Sequence, residues 1–170
     1  MKKTINFEIN QNCFKLTENV QSFLLCGIKH AKKDVFLSVV IPTYKRYDLF
    51  CDALRSVRDQ AEVDFPWEII IMDNEAYDGK SNAVERYIRR LNDSRIVYYR
   101  NEEHLRPGDN FNRGILLASG KWVTMLHDDD LLMPATLKNI GKAIQFLSKQ
   151  RAKPLADICA QYYQFSNNQN

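Results

Sequence analysis

Four apolar runs recur along this chain, each followed by a polar loop and then by apolar residues at helical spacing. The runs are Phe36 to Ile41, Trp67 to Met72, Arg95 to Tyr99 and Trp122 to Leu126. The first two are apolar at nearly every position, which is the pattern of strands buried on both faces rather than one. Helices are expected at about 48–60, 80–91, 108–118 and 134–149. The first carries Leu49, Ala53, Leu54 and Val57 on one face, and the last carries Leu137, Ile140, Ile144 and Leu147. Gly120 reads as the C-terminal cap of the third helix. Strand–helix alternation repeated in this way predicts an α/β fold: a mostly parallel sheet with helices on both faces. Residues 158–165 alternate loosely and read as a further strand.

The domain is expected over residues 35–170, with residues 1–34 as a prefix. In the prefix Leu16, Val20, Phe23, Leu24 and Ile28 recur at helical spacing. They predict an amphipathic N-terminal helix from about Phe14 to Lys33, with Lys29, His30, Lys32 and Lys33 at its end. Such a helix either packs on the domain, with its basic residues at the favourable end of the helix dipole, or meets a membrane surface or a partner.

Charge narrows the partners. The first 35 residues hold six Lys against three acids, and the remaining 135 hold 18 basic and 18 acidic residues. A neutral body lacks the broad basic face that nucleic acid requires. Cys13, Cys26, Cys51 and Cys159 have neither metal-finger spacing nor the density of a disulfide framework, and read as reduced cytosolic thiols. Met1-Lys-Lys leads into polar residues rather than a signal peptide, and no apolar stretch reaches the roughly 20 residues of a spanning helix. A cytoplasmic protein, peripheral at the membrane at most, is the expectation.

The fourth apolar run leads directly into Asp128, Asp129 and Asp130. Three adjacent carboxylates repel one another unless a cation sits among them. Mg²⁺ or Mn²⁺ suits carboxylate oxygens at a strand end, and an ion with open positions there would hold a phosphate. The other reading is an acidic cap on the following helix, although a cap needs one carboxylate and not three. In open parallel sheets ligands bind beyond the carboxyl ends of the strands. The loops starting at Pro42, Asp73, Arg100 and His127 are therefore expected to converge on one crevice. They bring Thr43, Tyr44, Arg46, Asp73, Asp78, Arg106 and the Asp triplet. Neither G-x-G-x-x-G after the first strand nor G-x-x-x-x-G-K-[ST] anywhere is present, which argues against dinucleotide and P-loop binding.

These residues together resemble a family. Ser-Val-Val-Ile-Pro-Thr-Tyr-Lys-Arg (38–46), Ile-Ile-Ile-Met-Asp-Asn (69–74) with Asp78, and Asn-Arg-Gly-Ile-Leu-Leu-Ala-Ser-Gly-Lys-Trp (112–122) before Leu-His-Asp-Asp-Asp are similar to glycosyltransferase family 2. The resemblance covers about residues 36–150 and implies the GT-A (Rossmann-like) fold and a nucleotide-diphosphate sugar donor, UDP-sugar first. It implies a glycan or lipid-linked acceptor. By position it implies that Tyr44 stacks on the base, with Pro42 and Thr43 seating it, and that Asp73 meets the base edge. Arg46, Asp78 and Arg106 fall on the nucleotide side. Asp128 and Asp129, with Asp130, fall in the D-x-D region that contacts ribose and metal.

The chain departs from the family pattern at His127, where many members have Asp, so the D-x-D frame is either 128/130 or the 127–129 window. Asn74 and Glu75 replace a more usual acidic-Gly-Ser run. The chain ends about 40 residues after Asp130, and Asp157 is the one acid in residues 151–170. No residue reads as the base that deprotonates an acceptor hydroxyl. The sequence thus predicts the donor half of a metal-assisted, inverting glycosyltransferase, with polysaccharide biosynthesis as its setting by analogy. Its alternative is a catalytically silent nucleotide-binding module, or a half-enzyme dependent on a partner. A different metal-dependent nucleotidyl enzyme would need a basic phosphate loop after the first strand, and Lys45 and Arg46 stand there without glycines.

Overall fold

The computed structural model describes residues 17–31 and 34–150. They form a five-stranded sheet of order β1-β4-β3-β2-β5. The strands are β1 (Ser22–Cys26), β2 (Leu37–Thr43), β3 (Trp67–Asp73), β4 (Ile96–Asn101) and β5 (Trp122–Met125), and the helices are α1 (Tyr47–Arg58), α2 (Ala83–Leu91), α3 (Pro107–Leu117) and α4 (Thr136–Gln150). β2 pairs in parallel with β3 and β5, β3 in parallel with β4, and β1 antiparallel with β4. The expected α/β sheet is therefore present, mostly parallel, with one antiparallel edge. The expected strand at 158–165 lies outside the described residues.

Strand pleating divides the core into two layers. Val39, Ile41, Ile69, Ile71, Ile96 and Tyr98 face α1 and α2, which cover them with Phe50, Ala53, Leu54, Val57, Val84 and Ile88. Val40, Ile70, Met72, Val97 and Tyr99 face the other way and meet Leu117 and Ala118 at the end of α3. This is why β2 and β3 read as continuous apolar runs: alternate residues go to opposite cores, and neither face meets water. The chain runs β2, β3, β4 toward one side of the sheet, while β5 returns to the far side of β2. The strand order thus reverses between β2 and β5, where a crevice opens.

Two expectations are corrected here. The helix from about Phe14 to Lys33 is not what residues 22–26 form; they are strand β1. Phe23, Leu24 and Leu25 are consecutive apolar residues, which fit helix and strand equally in a short window. The open edge of β4 decides the matter, because its backbone donors and acceptors take partners from Ser22 to Cys26. Gly120, in turn, does not cap α3. The cap is Ala118 in an extended conformation, with its N–H donating to the Gly114 and Ile115 carbonyls. Gly120 is small for a different reason: a Cβ there would lie 2.5 Å from the Ser38 backbone nitrogen. Its N–H donates to Ser38 Oγ, which itself donates to the buried Glu68 carboxylate at 2.5 Å, and that carboxylate also accepts from the Ser119 N–H. The link between α3 and β5 is thereby tied to β2 and β3.

Candidate functional site

At the carboxyl ends of β2, β3 and β5 lies a cavity of about 450 Å³, within the range of small-molecule sites. It is lined by segments from four places in the chain. Pro42 and Thr43 end β2 and Tyr44 and Arg46 follow in its turn, His127, Asp128 and Asp129 come from the loop after β5, Asn74 follows β3, His104 lies in the loop after β4, and Pro107, Asn110 and Phe111 come from the start of α3. The four expected loops do converge.

The turn after β2 is sharp. Lys45 takes a left-handed conformation at φ 55°, and Arg46 precedes the first turn of α1. The turn leaves Tyr44 40% exposed, with its ring 4.4 Å from that of His104. No third ring fits between them. Lys45 Nζ lies 5.3 Å from the centre of the Tyr44 ring. A second aromatic pair, Phe111 edge-on to His127 at 5.1 Å, forms another part of the wall.

The acidic loop is tied to this turn. Thr43 Oγ1 donates to Asp128 Oδ2 at 2.9 Å, and Arg46 Nη1 donates to Asp129 Oδ2 at 2.9 Å and to Asp128 Oδ1 at 3.5 Å. Asp128 is buried, whereas the Asp129 side chain is 51% exposed. Two carboxylates at different depths thus face one guanidinium across the cavity wall.

Six of the expected site residues line the cavity: Pro42, Thr43, Tyr44, Arg46, Asp128 and Asp129. Four do not. Asp73 is 1% exposed and spent within the protein: Oδ1 accepts from the Glu75 N–H, and Oδ2 accepts from Asn82 Nδ2 and the Tyr98 hydroxyl, all within 2.9 Å. Burial pushes its carboxyl above the usual range, against those three hydrogen bonds. Burial and the Asp73 charge likewise push the Tyr98 phenol upward. Because Asn82 also caps α2 by accepting the Glu85 N–H, Asp73 anchors that helix to the sheet. Three of its acceptor positions are thus taken up inside the protein, and it is not among the residues that line the cavity. Asp78 closes an exposed turn by accepting the Lys80 N–H. Arg106 pairs with Asp109. The exposed Asp130 donates its N–H to the His127 carbonyl in a turn.

The lining residues outside the expected set include Asn74 just after β3, His104 in the loop after β4, and the start of α3. Asn74 looked like a departure in a loop, yet it lines the cavity. Asn110 and Phe111 lie in the first turn of α3, brought close because a Cβ at Gly114, one turn later, would stand 2.7 Å from Val40. A signal was available: the first helical turn after a parallel strand faces the crevice, and Pro107 marks that turn.

A divalent ion fits part of the expected ligand set. Among the described residues no three His, Cys, Asp or Glu side chains form a group that could hold a metal ion. The triplet Asp128, Asp129 and Asp130 does not enclose an ion by itself in this arrangement. Its adjacent carboxylates point to separate places, Asp128 inward and Asp130 to solvent. Asp128 and Asp129 together are the chemistry of a Mg²⁺-type site, in which one or two carboxylates suffice when phosphate oxygens complete the shell.

A family model for glycosyl transferase family 2 matches residues 38–161. The chain is 35% identical over 105 residues to the GalNAc(5)-diNAcBac-PP-undecaprenol beta-1,3-glucosyltransferase of Campylobacter jejuni, covering 61% of this chain and 33% of that protein. The structure of S. aureus TarS 1-349 in complex with UDP-GlcNAc is similar at TM-score 0.56 and 22% identity, over 66% of this chain and 32% of that one. The mannosyltransferase PcManGT of Pyrobaculum calidifontis, in complex with GDP-Man and Mn²⁺, is similar at TM-score 0.52 and 23% identity, over 69% and 32%. At these identities the two structural likenesses are of fold alone. The chain spans about a third of the length of the curated relatives it matches.

Proposed function

The chain belongs to glycosyl transferase family 2, and from that premise we propose that its cavity holds the nucleotide diphosphate of a sugar donor, UDP-sugar first, for transfer to a glycan or lipid-linked acceptor. One observation carries the reading. The Thr43–Asp128 hydrogen bond and the Arg46–Asp129 ion pair join the turn bearing Tyr44 to the acidic loop inside one cavity.

Each residue has a role that follows from its position. Tyr44 offers an exposed ring on the cavity wall, on which a base stacks; base–aromatic stacking is worth about 1–3 kcal/mol. Thr43 holds the Asp128 carboxylate in a fixed orientation, leaving its other oxygen toward Arg46. Asp128 and Asp129 would hold Mg²⁺ or Mn²⁺ beside the diphosphate. When bound, the ion neutralises charge on the departing nucleotide diphosphate. Arg46 occupies the cationic position between the two carboxylates, and its guanidinium is suited to turn to phosphate oxygens. The amino end of α3, with Pro107 at the cavity, adds a favourable dipole for an anion.

The names of the relatives support this reading: one glucosyltransferase is named for a diphosphate-linked lipid acceptor, and the TarS and PcManGT complexes are named for UDP-GlcNAc and for GDP-Man with Mn²⁺. An acceptor of that kind would put the enzyme at a membrane surface. Among the described residues no helix is long and apolar enough to cross one. Transfer is read as inverting, with a base on the acceptor side that is assigned to no described residue.

Equilibrium dialysis of Mn²⁺ against the chain tests the proposal. Mn²⁺ should be retained with UDP or GDP present and much less without either. Equal retention in both conditions would overturn the shared metal–diphosphate site.

A further inference from the structure

Beneath the cavity three asparagine side chains are buried in mutual contact: Asn74 and Asn110 are 3% exposed and Asn101 is 0% exposed. Their orientations determine one another. Asn74 makes two bonds to Leu105, donating Nδ2 to the carbonyl at 2.8 Å and accepting the N–H on Oδ1 at 2.9 Å. Asn110 donates Nδ2 to the Met72 carbonyl at 3.2 Å. Each therefore turns its amide oxygen toward Asn101, whose Nδ2 donates to Asn74 Oδ1 at 3.2 Å and to Asn110 Oδ1 at 2.8 Å. The amide oxygen of Asn101 is left for β1, where it accepts from Ser22 Oγ at 2.9 Å. Every hydrogen-bonding atom of the Asn101 side chain has a partner, and its two N–H bonds hold the two asparagines that line the cavity.

The contacts extend outward from Asn101. Gln21 accepts the Glu102 N–H at 3.0 Å, and His104 Nδ1 lies 3.1 Å from the Asn74 carbonyl, so the loop 102–106 is tethered near both ends. Arg113 of α3, the helix that delivers Asn110 and Phe111, donates to Ser22 Oγ and to the carbonyls of Thr17 and Glu18. Residues 17–26 thus brace the cavity from a part of the chain outside the 38–161 span that the family model matches.

We infer that Asn101 is a positioning residue for the donor cavity, and that Ser22 and the segment around it form the brace through which the chain before the family-matched region sets nucleotide affinity. The inference rests on the cavity binding nucleotide, as proposed above. Asn101 touches no ligand itself. It acts by fixing Asn74, Asn110 and the loop that carries His104 against Tyr44.

The test uses the whole chain with three variants. Asn101→Asp keeps the shape but turns both donors into an acceptor facing two amide oxygens. Ser22→Ala removes the one hydroxyl through which β1 meets both Asn101 and Arg113. Arg58→Ala serves as a stability control at the opposite end of the sheet, where Arg58 pairs with Asp93. Hydrogen exchange of the peptide spanning Leu105 and calorimetric affinity for UDP and GDP with Mn²⁺ are measured for each. Exchange at Leu105 should quicken in Asn101→Asp and Ser22→Ala, and affinity should fall about ten-fold or more in the first and a few-fold in the second. Arg58→Ala should leave both unchanged even where its melting temperature falls as far. Unchanged exchange or affinity in Ser22→Ala, which keeps the core intact, would overturn the inference whether or not Asn101→Asp folds. If the unmodified chain binds neither nucleotide, the functional proposal fails, and unchanged exchange at Leu105 would still reject the brace on its own.

Discussion

Thr43 Oγ1 donates to Asp128 Oδ2 at 2.9 Å, joining residues 85 positions apart in the chain. The bond connects the ends of β2 and β5, the two strands between which the sheet order reverses. It fixes the inner carboxylate of the acidic loop, while Asp129 stays half exposed at the cavity mouth. Replacing both Asp128 and Asp129 with Ala should abolish metal-dependent nucleotide binding and leave the circular dichroism spectrum unchanged. Nucleotide affinity equal to that of the unmodified chain would place the site elsewhere.

Tyr44→Ala separates base from metal. The ring is 40% exposed and contributes little to the core, so the fold should tolerate its loss. Nucleotide affinity should fall by roughly ten-fold to a hundred-fold, the loss expected from one base–aromatic stack. Mn²⁺ affinity measured with inorganic diphosphate should not change. Equal losses in both titrations would contradict the stacking role.

Asp73→Asn distinguishes an anchor from a ligand. All of its partners are donors, and an amide nitrogen would face one of them. Chemical denaturation should show a loss of about 1–3 kcal/mol, the usual result of leaving a buried polar group without a partner. Nucleotide affinity per folded molecule should stay within about two-fold. A large loss of affinity with unchanged stability would return Asp73 to the base edge.

The far end of the sheet offers a test by pH. The Arg95 guanidinium, together with the Arg95 N–H and Arg58, holds the Asp93 carboxyl well below the usual carboxylate range, against its burial. A depressed folded value stabilises the protein above the ordinary aspartate range, near 3.9, and that stabilisation is lost as pH falls through the folded value. Asp93→Asn should therefore melt at lower temperature than the unmodified chain at neutral pH, with the gap closing below about pH 4. A gap constant across that window would exclude the linkage.

The order of elements was legible because buried parallel strands leave uninterrupted apolar runs, and β2 and β3 are such runs. That Pro42-Thr-Tyr and Asp-Asp meet in one cavity was legible because one stands at the carboxyl end of β2 and the other follows β5. The position of Asp73 at a strand end is shared by ligands and anchors alike. What separates them is Tyr98 and Asn82, partners that come from β4 and α2. β1 was hidden for a similar reason: Phe23-Leu-Leu has no period of its own, and the free edge of β4 selects its conformation. The asparagines at 74, 101 and 110 carry no spacing signal, and the sheet register and the close packing of α3 bring them together.

The most direct test of the central claim is calorimetric titration of the unmodified chain with UDP and with GDP, each with and without Mn²⁺. The structure of the cavity predicts that one nucleotide binds, and that its affinity rises at least ten-fold when Mn²⁺ is present, since the acidic pair then shares the ion with the diphosphate. Binding that is indifferent to Mn²⁺, or no binding of either nucleotide, would contradict it.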